Sequence, residues 1–220
     1  PFLIFYNNGF LKRKMKISKK IILLVSLLVF IFILIQILIS NSEYKAFLIN
    51  LDLLINSFMP KIENNFLTTL SKIIAIIFDT ITLIIISIII SVYLWAKDNK
   101  RESLFFVIMM LLTSLVIFIL KNLMQRARPL NSLVFETGFA FPSGHTTASL
   151  VFFGVLTHLI LVKNKSEFFK FLILGISIFI VAIISFSRLY LNSHWMTDVL
   201  GGLALGFFIL TIFIIMYKIP

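Results

Sequence analysis

Long apolar runs separated by short polar stretches organise this chain. A helix needs about 20 mostly apolar residues to cross a bilayer. Six windows supply them: 21–40, 73–95, 104–123, 145–162, 169–187 and 199–217. They are filled with Ile, Leu and Phe and lack the in–out alternation of a barrel strand. The pattern therefore predicts an all-α, integral-membrane bundle of six transmembrane helices. The first window is too long, and too poorly flanked by small residues, for a cleaved leader. The stretch 41–72 between the first two windows is semi-apolar. Apolar residues at 47, 48, 51, 54, 55 and 58 form a helical stripe, interrupted by Asp52 and Asn56. Two readings of it stand: a helix lying in the membrane interface, or a loop packed on the bundle.

Composition agrees with lipid as the solvent. The 220 residues are 60% hydrophobic and 13% charged, where soluble chains have roughly 45–50% and about 25%. The net charge of +11 could mean nucleic acid or basic loops held at the cytoplasmic side. Placement decides between them. Lys12, Arg13, Lys14, Lys16, Lys19, Lys20, Lys97, Lys100, Arg101, Lys163, Lys165, Lys170 and Lys218 fall on one side of the predicted spans. Only Lys45, Lys61, Lys72, Lys121, Arg126, Arg128 and Arg188 fall on the other. Both ends are thus expected in the cytoplasm, with loops 41–72, 124–144 and 188–198 outside, and no basic surface is left for a nucleic acid. The organisation expected is a basic arm over 1–20 and one transmembrane domain over 21–218. Met15 and the basic residues after it read as a natural start, which makes 1–14 an upstream extension. Heavy use of Ile, Asn, Lys and Phe suggests an AT-rich bacterial coding sequence, hence a bacterial cytoplasmic membrane. There is no cysteine, so thiol chemistry is excluded.

Polar residues inside a membrane cost several kcal/mol, so those at the span ends carry information. Lys121 closes the third span and is followed by Arg126, Arg128 and Pro129; Pro142-Ser143-Gly144-His145 opens the fourth; Ser187-Arg188 closes the fifth, and His194 and Asp198 lead into the sixth. Two complete crossings separate the two hairpin loops, so all three clusters lie on one face of the membrane. Lys121 and Arg128, seven apart, are expected on one helical face, with Pro129 ending the helix. Arg offers a fork and Lys a point charge to phosphate oxygens. Ser143 and Gly144 sit at a helix start, where free N–H groups favour an anion, and Arg188 adds a third cation. Asp198, one turn from His194, can accept the Nδ1 proton and leave Nε2 as a nucleophile. His145, from the other hairpin, is the candidate acid for the leaving oxygen.

Together the clusters read Lys-x6-Arg-Pro (121–129), Pro-Ser-Gly-His (142–145) and Ser-Arg-x5-His-x3-Asp (187–198). This resembles the complete signature of the type 2 phosphatidic acid phosphatase superfamily, with no departure at any motif position. The resemblance implies a lipid phosphatase. His194 would form a phosphohistidine, oriented by Asp198. His145 would protonate the leaving group and then activate water. Lys121, Arg128, Ser143, Gly144 and Arg188 would hold the phosphoryl oxygens. No metal or other cofactor is implied. The expected substrate is a membrane lipid carrying a phosphomonoester or pyrophosphate at the outer leaflet: undecaprenyl pyrophosphate, phosphatidylglycerol phosphate or phosphatidic acid, the first two preferred.

The alternatives are a phosphotransferase using the same phosphohistidine and a membrane transporter. The latter predicts polar residues through several spans, whereas these are almost wholly apolar apart from Asp79 and scattered Ser and Thr. Asp79 has two readings, pairing with a basic residue of the mouth or a helix-packing hydrogen bond, and stands outside the expected site. Arg126, off the Lys121–Arg128 face, reads as a headgroup contact or as support behind the phosphate ligands. Glu136 has two readings, steering substrate or standing solvated in the outer loop, the second preferred; His158 reads as a satisfied interfacial histidine, and Gly202 with Gly206 as a helix-packing pair.

Overall fold

A computed structural model describes residues 42–163 and 166–218, with scattered helical positions between 21 and 35. The arm 1–20 lies outside the described residues, as does most of the expected first span 21–40. Phe32 is among its described positions and packs against the core. Every regular element among the described residues is helical: α1 (Ser42–Phe58), a 3-10 turn (Met59–Ile62), α2 (Asn65–Ile77), α3 (Thr80–Ala96), α4 (Lys100–Met124), α5 (Gly144–Lys163), α6 (Glu167–Tyr190) and α7 (Met196–Lys218).

Four of these, α4 to α7, are long and apolar enough to cross a membrane. A fifth crossing is available if α2 and α3, bent by 51° at their junction, form one broken span. The second expected span, 73–95, is therefore not one straight helix. Asp79 interrupts it: its carboxylate accepts from the Ile81 N–H at 2.9 Å and caps α3, as a short acidic side chain does at a helix start.

The chain is a multi-pass membrane protein, and its helices bury the side of themselves that pattern and solvent demand. On α4, Phe106, Met109, Met110, Thr113 and Ile117 face inward, while Leu104, Ile108, Leu111, Leu115 and Phe118 are exposed. Both rows have helical spacing, and the exposed one is apolar because lipid is its solvent. Helix α5 runs through the centre and contributes Ala148, Val151, Phe152, Val155 and Leu159 to the core, met by Leu205, Ile209 and Phe213 of α7.

Stretch 41–72 combines the two readings left open for it. It is helical, and it packs on the bundle. The polar interruption turns inward together with part of the apolar stripe: Asp52 is buried, the Asn56 amide donates to Asn192 Oδ1 at 3.0 Å and Ile55 packs against Met59, Tyr190 and Leu191, whereas Phe47, Leu54 and Phe58 are exposed. A polar group in an apolar surround costs free energy unless it is paired, so the polar positions turn toward the partners the bundle offers.

Helix α7 meets α5 closely at Gly202, where a Cβ would come within 2.9 Å of the Ser143 carbonyl oxygen and 3.0 Å of Thr147 Oγ1. Thr147 Oγ1 itself lies 2.9 Å from Ser143 O and 3.1 Å from Gly202 O. Gly202→Ala is expected to destabilise the protein by about 1–3 kcal/mol, the usual cost of overpacking. Thermal unfolding in detergent checks this, and an unchanged midpoint would mean that α7 does not need the close approach.

Candidate active site

The last turn of α4 decides where the first cluster goes. The helix stops at Met124, because Gln125 turns left-handed at φ 46° and its N–H caps the Lys121 carbonyl. Arg126 and Arg128 are therefore not on the helix. Their expected placement by helical angle, and the expectation that Pro129 ends the helix, are corrected. Arg128 is carried by the loop instead, held by Nε to the Gly138 carbonyl at 3.1 Å and Nη1 to the Ser193 carbonyl at 2.8 Å. Lys121, still on the helix, donates to the Phe139 carbonyl. The loop and the helix end thus bring both cations to one cleft by a different route.

That cleft has a volume of about 990 Å³. Lys121, Arg128, Gly144, His145, Arg188 and His194 line it, together with Ile76 of α2, Ile81 of α3 and Phe118 of α4. Six of the eight expected site residues meet there. Ser143 and Asp198 are fully buried behind them: the Ser143 hydroxyl sits 3.0 Å from Thr146 Oγ1, and its N–H donates to the Asp198 carbonyl at 3.0 Å.

Each histidine faces a guanidinium. His194 Nε2 lies 3.2 Å from Arg128 Nη1, and its Nδ1 lies 3.4 Å from Asp198 Oδ2. Since a guanidinium only donates, Nε2 here is the unprotonated nitrogen and Nδ1 carries the hydrogen toward the carboxylate. Asp198 Oδ2 also accepts from the Trp195 N–H at 2.9 Å, the return contact of a capping box at the start of α7. His145 Nε2 lies 3.0 Å from both Arg188 Nη1 and the Ala75 carbonyl, and 3.5 Å from Asp79 Oδ1. Unprotonated, that nitrogen accepts from the guanidinium. Protonated, it donates to the carbonyl, with the Asp79 carboxylate nearby.

Arg188 has no exposed surface. It donates to Ser193 Oγ through Nε at 3.1 Å and Nη2 at 2.8 Å, and to Glu136 Oε1 at 2.7 Å. Glu136 also reaches Arg128 Nη1 through Oε2 at 2.7 Å. The expectation of a solvated Glu136 is corrected: its carboxylate bridges the two guanidiniums, between the histidines they face. Asp79, expected to stand outside the site, lines the cleft beside His145.

Sequence reasoning also missed Asp52, which pairs with Arg126, itself paired with Asp198. The available signal was an acidic residue breaking an apolar stripe. Of the two readings of Arg126, the geometry matches support behind the cleft, through its pairs with Asp52 and Asp198. Among the described residues, no three His, Asp or Glu side chains converge as a metal-binding set.

The matching sequence profile is that of the PAP2 superfamily, over residues 102–219. It covers more than half of the chain and all three motif clusters, so this chain belongs to the PAP2 superfamily. Among curated proteins, it is 37% identical over 94 residues to phosphatidylglycerophosphatase B of Bacillus subtilis (strain 168), an alignment covering 40% of this chain and 44% of that protein. It is 32% identical over 74 residues to lipid phosphate phosphatase delta of Arabidopsis thaliana, covering 33% of this chain and 18% of the plant protein. The chain thus aligns with less than half the length of each. Among solved structures, a transmembrane PAP2-type phosphatidylglycerolphosphate phosphatase from Bacillus subtilis superposes with a TM-score of 0.79, covering 89% of this chain and 97% of that one at 24% identity.

Burial, then the positive charges of Arg128, Lys121 and Arg188, hold His194 well below the ordinary histidine value of 6.5, against a hydrogen bond with the Ala140 backbone that works the other way. Both main causes disfavour the cationic ring, so His194 is expected neutral at pH 6.5. Arg128→Ala removes the largest charge contribution and is expected to raise the titration point toward 6.5. Imidazole ¹⁵N shifts of the detergent-solubilised protein measure both, and a cationic His194 at pH 6.5 would refute the assignment.

Proposed function

We propose that this chain is a metal-independent lipid phosphatase working through a phosphohistidine. The observation that carries the reading is His194, with Nε2 presented to the cation-lined cleft and Nδ1 backed by Asp198. In the first step Nε2 attacks phosphorus; the N–P bond forms as the P–O bond to the lipid breaks. His145 delivers a proton to the departing oxygen. Asp198 stabilises the positive ring that results, its role being orientation and charge. In the second step the now neutral His145 takes a proton from water, which attacks phosphorus, breaks the N–P bond and releases phosphate. Lys121, Arg128 and Arg188 neutralise the oxygens of the transferring group, whose charge is spread over three positions. Gly144 lets the phosphate approach the free N–H groups that begin α5, and Ser143 supports that start from behind.

The substrate is a lipid phosphomonoester or pyrophosphate. Undecaprenyl pyrophosphate and phosphatidylglycerol phosphate are preferred over phosphatidic acid by family analogy, and the name of the Bacillus subtilis relative supports the second of them. Its tail enters the cleft past Ile76, Ile81 and Phe118, all heavily exposed on the membrane-facing side. The arrangement we propose in the membrane is a single transmembrane domain over 21–218 preceded by the basic arm 1–20. It has six spans, both ends in the bacterial cytoplasm, and the site at the outer face of the cytoplasmic membrane.

The purified protein should release phosphate from these lipids in detergent containing EDTA, and a strict metal requirement would sink the mechanism. His194→Ala should remove both turnover and acid-labile phosphoenzyme, and surviving turnover would reassign the nucleophile. Product analysis in the same assay separates hydrolysis from transfer to an acceptor lipid.

Glu136 adds a constraint. Its carboxylate pairs with the two guanidiniums that in this reading take the phosphoryl oxygens, so substrate must displace it. Glu136→Gln removes the competing charge and is expected to lower the inhibition constant of inorganic phosphate several-fold. A weaker phosphate inhibition would show instead that Glu136 helps to hold the cations in place.

A further inference from the structure

One buried acidic residue on α1 lies outside every motif, 146 positions before Asp198, yet is tied to it through a single side chain. Asp52 is 2% exposed. Its Oδ1 accepts from the Thr197 N–H at 2.9 Å and its Oδ2 from the Thr197 hydroxyl at 2.7 Å. Oδ2 also takes Nη2 of Arg126. The other arm of the same guanidinium, Nη1, donates to Asp198 Oδ1 and to Thr197 Oγ1. Asp198 is left with Oδ2 for His194 Nδ1 and the Trp195 N–H. Every carboxylate oxygen in this chain of contacts is therefore satisfied, and Arg126 takes one oxygen from each aspartate.

We infer that Asp52 is a positioning residue for the reaction, acting through Arg126 to hold the Asp198 carboxylate against His194. The inference rests on the reading of His194 and Asp198 given under the proposed function.

The argument is one of fork geometry and charge. A guanidinium is planar and rigid, and it suits carboxylates that meet it edge-on. With Asp52 on one arm, Arg126 offers Asp198 only the other, and Oδ2 stays turned to the histidine. Without the charge of Asp52, both arms become available to Asp198, and a bidentate pairing would draw Oδ2 away from Nδ1. The charges also alternate along the path. Asp52 is negative, Arg126 positive, Asp198 negative, and the His194 ring becomes positive only when Nε2 takes the phosphoryl group. A buried charge left without its partner is costly, so the array matches the phosphorylated ring better than the resting one. The contact with Thr197 adds a second effect, because Asp52 supplies an acceptor to the first turn of α7, where helix N–H groups lack one.

The experiment measures turnover on one lipid phosphate with purified, detergent-solubilised protein for wild type, Asp52→Asn, Asp198→Asn and the double variant, each checked for its thermal midpoint. Asp52→Asn keeps the size of the side chain and an oxygen for Thr197, but not the charge. We expect its kcat to fall at least tenfold with KM changed less than twofold, because Asp52 does not line the phosphate cleft. In the Asp198→Asn background the same substitution is expected to cost nothing further, the mark of residues acting through one another. Arg126→Lys, which keeps the charge and loses the fork, is expected to lose kcat like Asp52→Asn. Full turnover in Asp52→Asn overturns the inference. So does a loss that multiplies with that of Asp198→Asn, or one that merely follows a lowered thermal midpoint. If Asp198→Asn itself retains full turnover, the failure belongs to the proposed function and not to Asp52 alone.

Discussion

The guanidinium of Arg188 has no contact with solvent, and the rest of the site depends on how it is satisfied. A charge taken from water into an apolar bundle is tolerated only with partners. Ser193, Glu136 and His145 supply them. Ser193 belongs to the turn that delivers His194, Glu136 to the loop that delivers Arg128, and His145 to the start of α5. Satisfying one buried charge thus ties three segments together, and those segments carry His194, Arg128 and His145 of the cleft lining. Stability and preorganisation have one source here, since the contacts that make the charge bearable also aim the histidines.

The same requirement extends outward in shells. Arg128 is tied to the Gly138 and Ser193 carbonyls, Asp198 to Trp195 and Arg126, and Arg126 to Asp52 on α1. Helix α1 presents apolar residues to the outside and a carboxylate to the bundle. Through Asp52 it joins the contacts that lie behind the cleft. Lipid accounts for the inversion: with an apolar solvent around the helices, the polar positions must find their partners inside.

Much of this was legible in the chain. Apolar run length located α4 to α7 to within a few residues at each end, because a bilayer sets a minimum length and tolerates few charges within it. The three motif clusters pointed to one cleft by topology alone, since two crossings separate their loops. Illegible were the features that depend on backbone at element ends. Gln125 turned left-handed and moved Arg128 off the helix that was to carry it. Asp79 broke a span that hydropathy alone reads as continuous. In both cases the cleft residues still met, by loop geometry that no periodicity encodes.

The sequence by itself determined the all-helical membrane class and the identities and order of the chemical groups. Both follow from local properties: hydropathy over a window, and residue types at fixed spacing. Only the tertiary structure decided which partner each charge has. Glu136 bridges two arginines, Asp52 reaches Asp198 through Arg126, and Ser143 stands behind the cleft instead of in it. Pairings of this kind join residues dozens of positions apart. Burial selects them, and burial belongs to the assembled bundle, not to any stretch of chain.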